Sequence, residues 1–114
     1  MESMYKFNVL IYDFNHRKVM YYDVIPYFVR EWNSDYCKTD RETITTFAEL
    51  QDWIKHRSMY HFWSRCEYES IVCPWPYNMA TIERDMYKID VHEQIMANID
   101  VVTDVVGKEF GLWE

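Results

Sequence analysis

The feature that most constrains this chain is a change of hydrophobic period around Phe62-Trp63-Ser64-Arg65-Cys66-Glu67-Tyr68-Glu69. Before Ser64 the apolar residues recur every three or four positions, the spacing of one helix face. After it they alternate with charged residues, the spacing of a half-buried strand. A chain that satisfies both periods combines helices with sheet, and this stretch reads as the helix-to-strand joint of a small α+β domain.

The same two periods organise the rest. Residues 5–12 read as a strand with Tyr5, Phe7, Val9 and Ile11 on one face. Residues 18–24 resume the alternation, so the pair predicts a β-hairpin around Asp13-Phe14-Asn15-His16-Arg17. Ile25-Pro26 ends the second strand and suits a helix start, with Phe28, Val29 and Trp32 as a short apolar face to about Asn33. Residues 34–43 are polar and charged and read as loop. Thr46-x-x-Glu49 is a capping box that opens a helix over 47–63, with Phe47, Leu50, Trp53, Ile54, Tyr60, Phe62 and Trp63 as its stripe. Lys55, His56 and Arg57 are expected to face water.

Beyond the joint, 65–72 predicts a third strand, ended by Pro74-Trp75-Pro76 because proline cannot donate to a sheet ladder. Residues 77–85 read as irregular and 86–90 as a short fourth strand. Asp90 and Glu93 suit the opening of a last helix. In it Val91, Ile95, Ile99, Val102, Val106 and Phe110 line one side, with a stop or fraying expected at Gly107. The order is β-β-α-α-β-β-α: one domain over residues 1–114, two layers, a four-stranded, mainly antiparallel sheet packed on one face by helices.

Length supports a single core, and 49% hydrophobic with 18% aromatic residues supplies the side chains to fill it. Nineteen acidic against 12 basic residues leave a formal net charge of −7, which argues against direct nucleic-acid binding and fits a soluble protein, or one whose partner is basic. The three cysteines, Cys37, Cys66 and Cys73, have no CxxC spacing and read as reduced cytosolic thiols. The first residues, Met1-Glu2-Ser3-Met4, show no basic patch before an apolar run, so no secretory leader is expected. No apolar run approaches a membrane span.

Several of these residues carry a resemblance. Phe62-Trp63-Ser64-Arg65-Cys66-Glu67-Tyr68-Glu69, the Trp75-Pro76 step, Lys88-Ile89-Asp90-Val91 and Gln94-Ile95 are similar to small accessory proteins of bacteriophages and prophages. Lys6-Phe7-Asn8-Val9 resembles their opening strand. The likeness covers 5–22 loosely and 60–106 better. That family has no assigned biochemical role, so no functional residue carries over. The resemblance implies a phage-encoded protein acting in the cytoplasm of a bacterial host. By analogy with other small acidic phage proteins, it suggests an inhibitor of host defence of the anti-CRISPR kind.

Few residues suggest chemistry. Glu67 and Glu69 share a strand face and could hold a metal or a proton, but a solvated face balanced by Arg65 and Lys88 is the plainer reading. His61, Cys66 and Cys73 match no zinc spacing. His16 and His92 have no evident partner, Ser64 has no nucleophile-elbow context, and both glycines lie near the C-terminus, so no phosphate loop is formed. No enzyme activity, metal or cofactor is expected.

The candidate partner-binding residues are therefore Trp75 and Tyr77, aromatics stiffened by proline, and the acids Glu83, Asp85, Glu93, Asp100 and Asp104; for Trp75 a ring folded back over the core edge is the plainer reading. The acids could form a negative strip that imitates a phosphate backbone and occupies a basic channel; a solvated helix face is the plainer alternative. The leading expectation is a non-enzymatic protein that binds and inhibits a host nucleic-acid-handling or defence protein. The alternatives are a self-associating scaffold module using Tyr22, Trp75 and Trp113, which leaves a homodimer open, and a small metal-dependent enzyme using Glu67, Glu69 and a histidine.

Overall fold

The structure, a computed structural model, describes residues 4–13, 18–62 and 91–114. Two strands, β1 (Asn8–Asp13) and β2 (Lys18–Asp23), pair antiparallel with Val9 opposite Tyr22 and Ile11 opposite Met20. Directly opposed residues share a face, so Val9 and Ile11 go to the core beside a half-buried Tyr22, while Leu10 and Tyr21 look outward. Val24 extends the ladder by donating its N–H to the Phe7 carbonyl at 3.0 Å.

Helix α1 (Ile25–Trp32) follows at once. Val24 at its N-cap has no side-chain oxygen to offer, and Asp23 substitutes: its Oδ1 accepts from Ile25 N at 3.1 Å and from Phe7 N at 3.0 Å. One carboxylate thus ties the helix start to the strand end. Residues 34–43, expected as loop, form a 3-10 turn (Asp35–Cys37) and a short helix α2 (Lys38–Thr43). No residue of α2 is buried, which is why apolar periodicity misses it. It is pinned at its ends by buried Cys37 and Ile44, and by Arg41, whose Nη1 donates to the carbonyls of Trp32 and Ser34.

Helix α3 (Phe47–Phe62) starts at the predicted capping box. Thr46 Oγ1 accepts from Glu49 N at 3.2 Å, and Glu49 Oε1 accepts from Thr46 N at 3.0 Å. Leu50, Trp53 and Ile54 are buried, whereas Tyr60, expected on the same stripe, is 84% exposed.

Two helices close the described chain, α4 (Val91–Ala97) and α5 (Ile99–Glu109). The single helix expected here is interrupted at Asn98, whose backbone leaves helical geometry at φ −124, ψ 27. The Asn98 N–H turns back to the Ile95 carbonyl and its side-chain amide donates to the Gln94 carbonyl, while its own carbonyl starts α5 by accepting from Val102 N. The C-terminus of α5 lies beyond Gly107. Gly111, at φ 75, lets Gly111 N reach the Lys108 carbonyl and Leu112 N reach the Gly107 carbonyl, the double closure of a Schellman motif.

The expectation of a four-stranded sheet is corrected. Among the described residues the fold is mainly helical, with five α-helices and a sheet of two strands, β1-β2. The physical reason is visible at the edge of β1, where a third strand would pair. Leu10 N donates to Gln94 Oε1 at 2.8 Å and Gln94 Nε2 donates to the Leu10 carbonyl at 2.9 Å, so a side-chain amide from α4 holds that place. The further strands expected at 65–72 and 86–90 lie outside the described residues, as do the hairpin turn and Asp90.

The core sits where α1, α3, α4 and α5 meet the inner face of the hairpin. Phe28, Ile25, Leu50, Ile54, Ile95, Val24, Val91, Val102 and Val106 are its largest fully buried side chains among the described residues. At the far end from the hairpin an aromatic group joins three helices. Trp32 stacks on Phe110 with centroids 4.4 Å apart and meets Trp53 edge-on at 5.2 Å; Phe110 and Trp53 are edge-on at 5.8 Å. Such pairs are worth about 0.5–1.5 kcal/mol each beyond area burial. No helix among the described residues is long and apolar enough to cross a membrane.

Candidate protein-binding surfaces

Of the residues singled out from the sequence, Trp75, Tyr77, Glu83 and Asp85 lie outside the described residues, as do Glu67, Glu69, Cys66 and Cys73. Glu93, Asp100 and Asp104 are placed, and they do not form one continuous strip. The turn at Asn98 separates Glu93 on α4 from the other two on α5. Glu93 and Asp100 are exposed. Asp100 Oδ1 accepts from Gln51 Nε2 at 2.7 Å, and the Asp104 carboxylate is paired with Lys108 Nζ at 3.0 Å, one turn on. That exposed pair adds well under about 1 kcal/mol, but it neutralises part of the field the strip would project.

The aromatics proposed for self-association are placed in part. Tyr22 is half-buried against the core. Trp113 folds back over α5 with its indole N–H donating to the Asp104 carbonyl at 3.2 Å, and it tilts against Phe47 with centroids 5.9 Å apart. Its ring lies so close to Gly107 that a Cβ there would stand 2.0 Å from it. Gly107 is thus a packing position and not a helix stop.

A second surface was not legible in the sequence. A groove of about 400 Å³ runs between α2 and one face of α3, lined by Asp40, Ile44, Glu49, Asp52, Trp53, His56, Arg57 and Tyr60. From Glu49 to Tyr60 these residues follow spacings of three and four, so α3 presents them together. Glu49 is held ionised: the N–H groups of Thr45 and Thr46 and the Thr46 hydroxyl bond its carboxylate and lower its pKa below the ordinary 4.5. His56 leans on Asp52, its Nδ1 2.8 Å from the Asp52 carbonyl and 3.9 Å from the carboxylate. Trp53 is only 6% exposed, and its Nε1, like the buried Nε of Arg57, has no hydrogen-bond acceptor among the described residues. Arg57, expected to face water, is instead half-buried in the groove wall.

Two polar contacts connect this face of α3 to the rest. The Tyr27 hydroxyl lies 3.2 Å from both Glu31 Oε1 and the Arg57 carbonyl, and its ring stacks on His61 at 4.2 Å. Burial, reinforced by the Glu31 carboxylate, raises its pKa far above the ordinary phenol value, so it remains a donor. His92, which lacked an evident partner in the sequence, has one: its Nδ1 lies 2.9 Å from Ser58 Oγ. Ser58 is fully buried, so a substrate could not reach that hydroxyl without separating α3 from α4; the pair is a strut between helices. Among the described residues no group of three His, Cys, Asp or Glu side chains could hold a metal ion. No family model matches the chain, and no curated protein or solved structure is significantly similar to it.

Proposed function

We propose that this is a non-enzymatic accessory protein of bacteriophage type that acts in the bacterial cytoplasm by binding and inhibiting a basic, nucleic-acid-handling host protein, such as a defence effector of the CRISPR kind. The observation that carries the reading is the surplus of negative charge, −7 in 114 residues, with Glu93 and Asp100 held on exposed turns of rigid helices. Acidic groups on a rigid scaffold steer a basic partner and suppress acidic ones. The sequence resemblance at 60–106 supports the phage setting. Because Asp104 is partly neutralised by Lys108, the contact is argued from a dispersed acidic surface and not from an ordered row of phosphate mimics.

The test is competition. A purified CRISPR effector bound to labelled duplex DNA is titrated with the protein at low and at physiological salt. Displacement of the DNA is expected, weakening with salt and falling about tenfold or more on Glu93→Lys with Asp100→Lys. An affinity indifferent to both salt and charge reversal would sink the acidic-contact reading, and simultaneous binding of DNA and protein would sink inhibition by occupation.

A further inference from the structure

We infer that the outer edge of β2 is a self-association site, where β2 of a second copy of this chain pairs antiparallel about a twofold axis at Tyr21. This goes beyond the acidic contact with a basic partner, because α4 with Glu93 lies along the opposite edge of the hairpin, on β1. The phase of the ladder places the open groups. In an antiparallel pair, residues directly opposite each other either exchange both backbone bonds or turn both sets of groups outward, in alternation. Leu10 turns its N–H and C=O outward to Gln94, so Tyr21, directly opposite, turns its own N–H and C=O outward on the other edge. The Val24 N–H, bonded to the Phe7 carbonyl, belongs to the alternate kind of pair and fixes the same phase. Positions 19 and 23 face outward with Tyr21 by the two-residue period.

The two edges of the hairpin are treated differently. A side-chain amide closes the β1 edge, whereas among the described residues no group meets the Tyr21 N–H and C=O. Strand β2 also lacks the devices that keep an edge from pairing: it has no proline, its register with β1 runs without a bulge, and its charges, Lys18 and Asp23, stand at its two ends. The side chains at this edge are apolar and open, Tyr21 being 73% exposed, Leu10 41% and Met20 39%. Charge selects the occupant. The strand is neutral in a chain of −7, so it exerts no pull on a basic strand, and antiparallel pairing brings the Lys18 end of one copy beside the Asp23 end of the other. An axis at Tyr21 engages positions 19, 21 and 23 together. It sets Tyr21 against Tyr21 and Met20 against Tyr22 of the second copy, with no like charges opposite each other.

The experiment is sedimentation equilibrium of the full chain over a dilution series, with hydrogen exchange at the Tyr21 amide followed in parallel. The expected result is a reversible dimer, of twice the mass of one chain, that tightens with added salt because salt screens the mutual repulsion of two acidic copies. The Tyr21 amide is expected to exchange fast in dilute solution and to become protected as the dimer forms. Tyr21→Lys and Tyr21→Glu each set like charges against each other at the axis and should weaken the dimer tenfold or more, while an equimolar mixture of the two should restore it as a heterodimer. Restoration also shows that both variants keep the fold. A wild-type chain that stays monomeric throughout overturns the proposal, whether the edge stays bare or takes a strand of another protein. So does a Tyr21 amide protected equally at every dilution, a dimer indifferent to the Tyr21 variants, or a mixture no better than its components. Salt separates this contact from the acidic one, which weakens where this one tightens, so either can fail alone.

Discussion

Replacing Gly107 by alanine should destabilise the protein, and removing Trp113 should reverse the sign of that effect. An ideal Cβ on Gly107 would lie 2.0, 2.3 and 2.6 Å from three atoms of the Trp113 ring, where ordinary contact begins near 3.4 Å. The indole must therefore retreat by about 1.4 Å. Its N–H bond to the Asp104 carbonyl, now 3.2 Å, then breaks, and the ring loosens from Phe47. The bond contributes about 1 kcal/mol, and partial re-exposure of the indole costs about 1–2 kcal/mol more. Against this, alanine is about 1 kcal/mol better than glycine inside a helix. The net expectation for Gly107→Ala is a loss of about 1–2 kcal/mol. In a Trp113→Ala background the obstruction is gone, and the same Gly107→Ala step should stabilise by about 0.5–1 kcal/mol. Urea unfolding of the four proteins, followed by far-ultraviolet circular dichroism, gives the cycle. A destabilisation of equal size in both backgrounds would refute the packing account, because the cost would then belong to the helix and not to the ring.

Two further outcomes follow from contacts described above. Gln94→Leu removes both bonds to the edge of β1 and should cost about 1–2 kcal/mol, less where water replaces the amide, with faster hydrogen exchange at the Leu10 amide; unchanged protection there would show that Gln94 does not hold the edge. Glu49→Gln should lower stability at neutral pH but matter progressively less in acid. The folded-state pKa of Glu49 is depressed below the ordinary 4.5 by the Thr45 and Thr46 N–H groups, so its contribution is complete above that value and is lost as pH falls through the folded pKa; a difference independent of pH between 7 and 3 would contradict this.

What the sequence revealed and what it hid follow from where each signal lives. The hairpin was legible because Val9 and Ile11 alternate with outward residues, and alternation reports one buried face. The start of α3 was legible because its capping box is local. The break at Asn98 was not: Val91, Ile95, Ile99, Val102 and Val106 keep helical spacing straight through it, and the periodic signal cannot register one residue leaving helical geometry. Helix α2 escaped because nothing on it is buried, its anchors being Arg41 and the flanking Cys37 and Ile44. The groove escaped for a different reason. Asp40 reaches it from α2, Ile44 from the residue after that helix and the rest from α3, and only the fold brings these residues together. Among the candidate binding residues, Glu93 and Asp100 are exposed, and Asp104 had a lysine one turn away that the sequence already displayed.

The turn at Asn98 also divides labour. Helix α4 packs against β1 and α3, and α5 packs against α1 and α3, so one straight rod is replaced by two segments that share α3 and differ in their second neighbour. Glu93 stands on the segment that seals the hairpin, whereas Asp100 and Asp104 stand on the segment that closes the aromatic end of the core. The exposed charge of one segment can therefore be changed while the other keeps its packing.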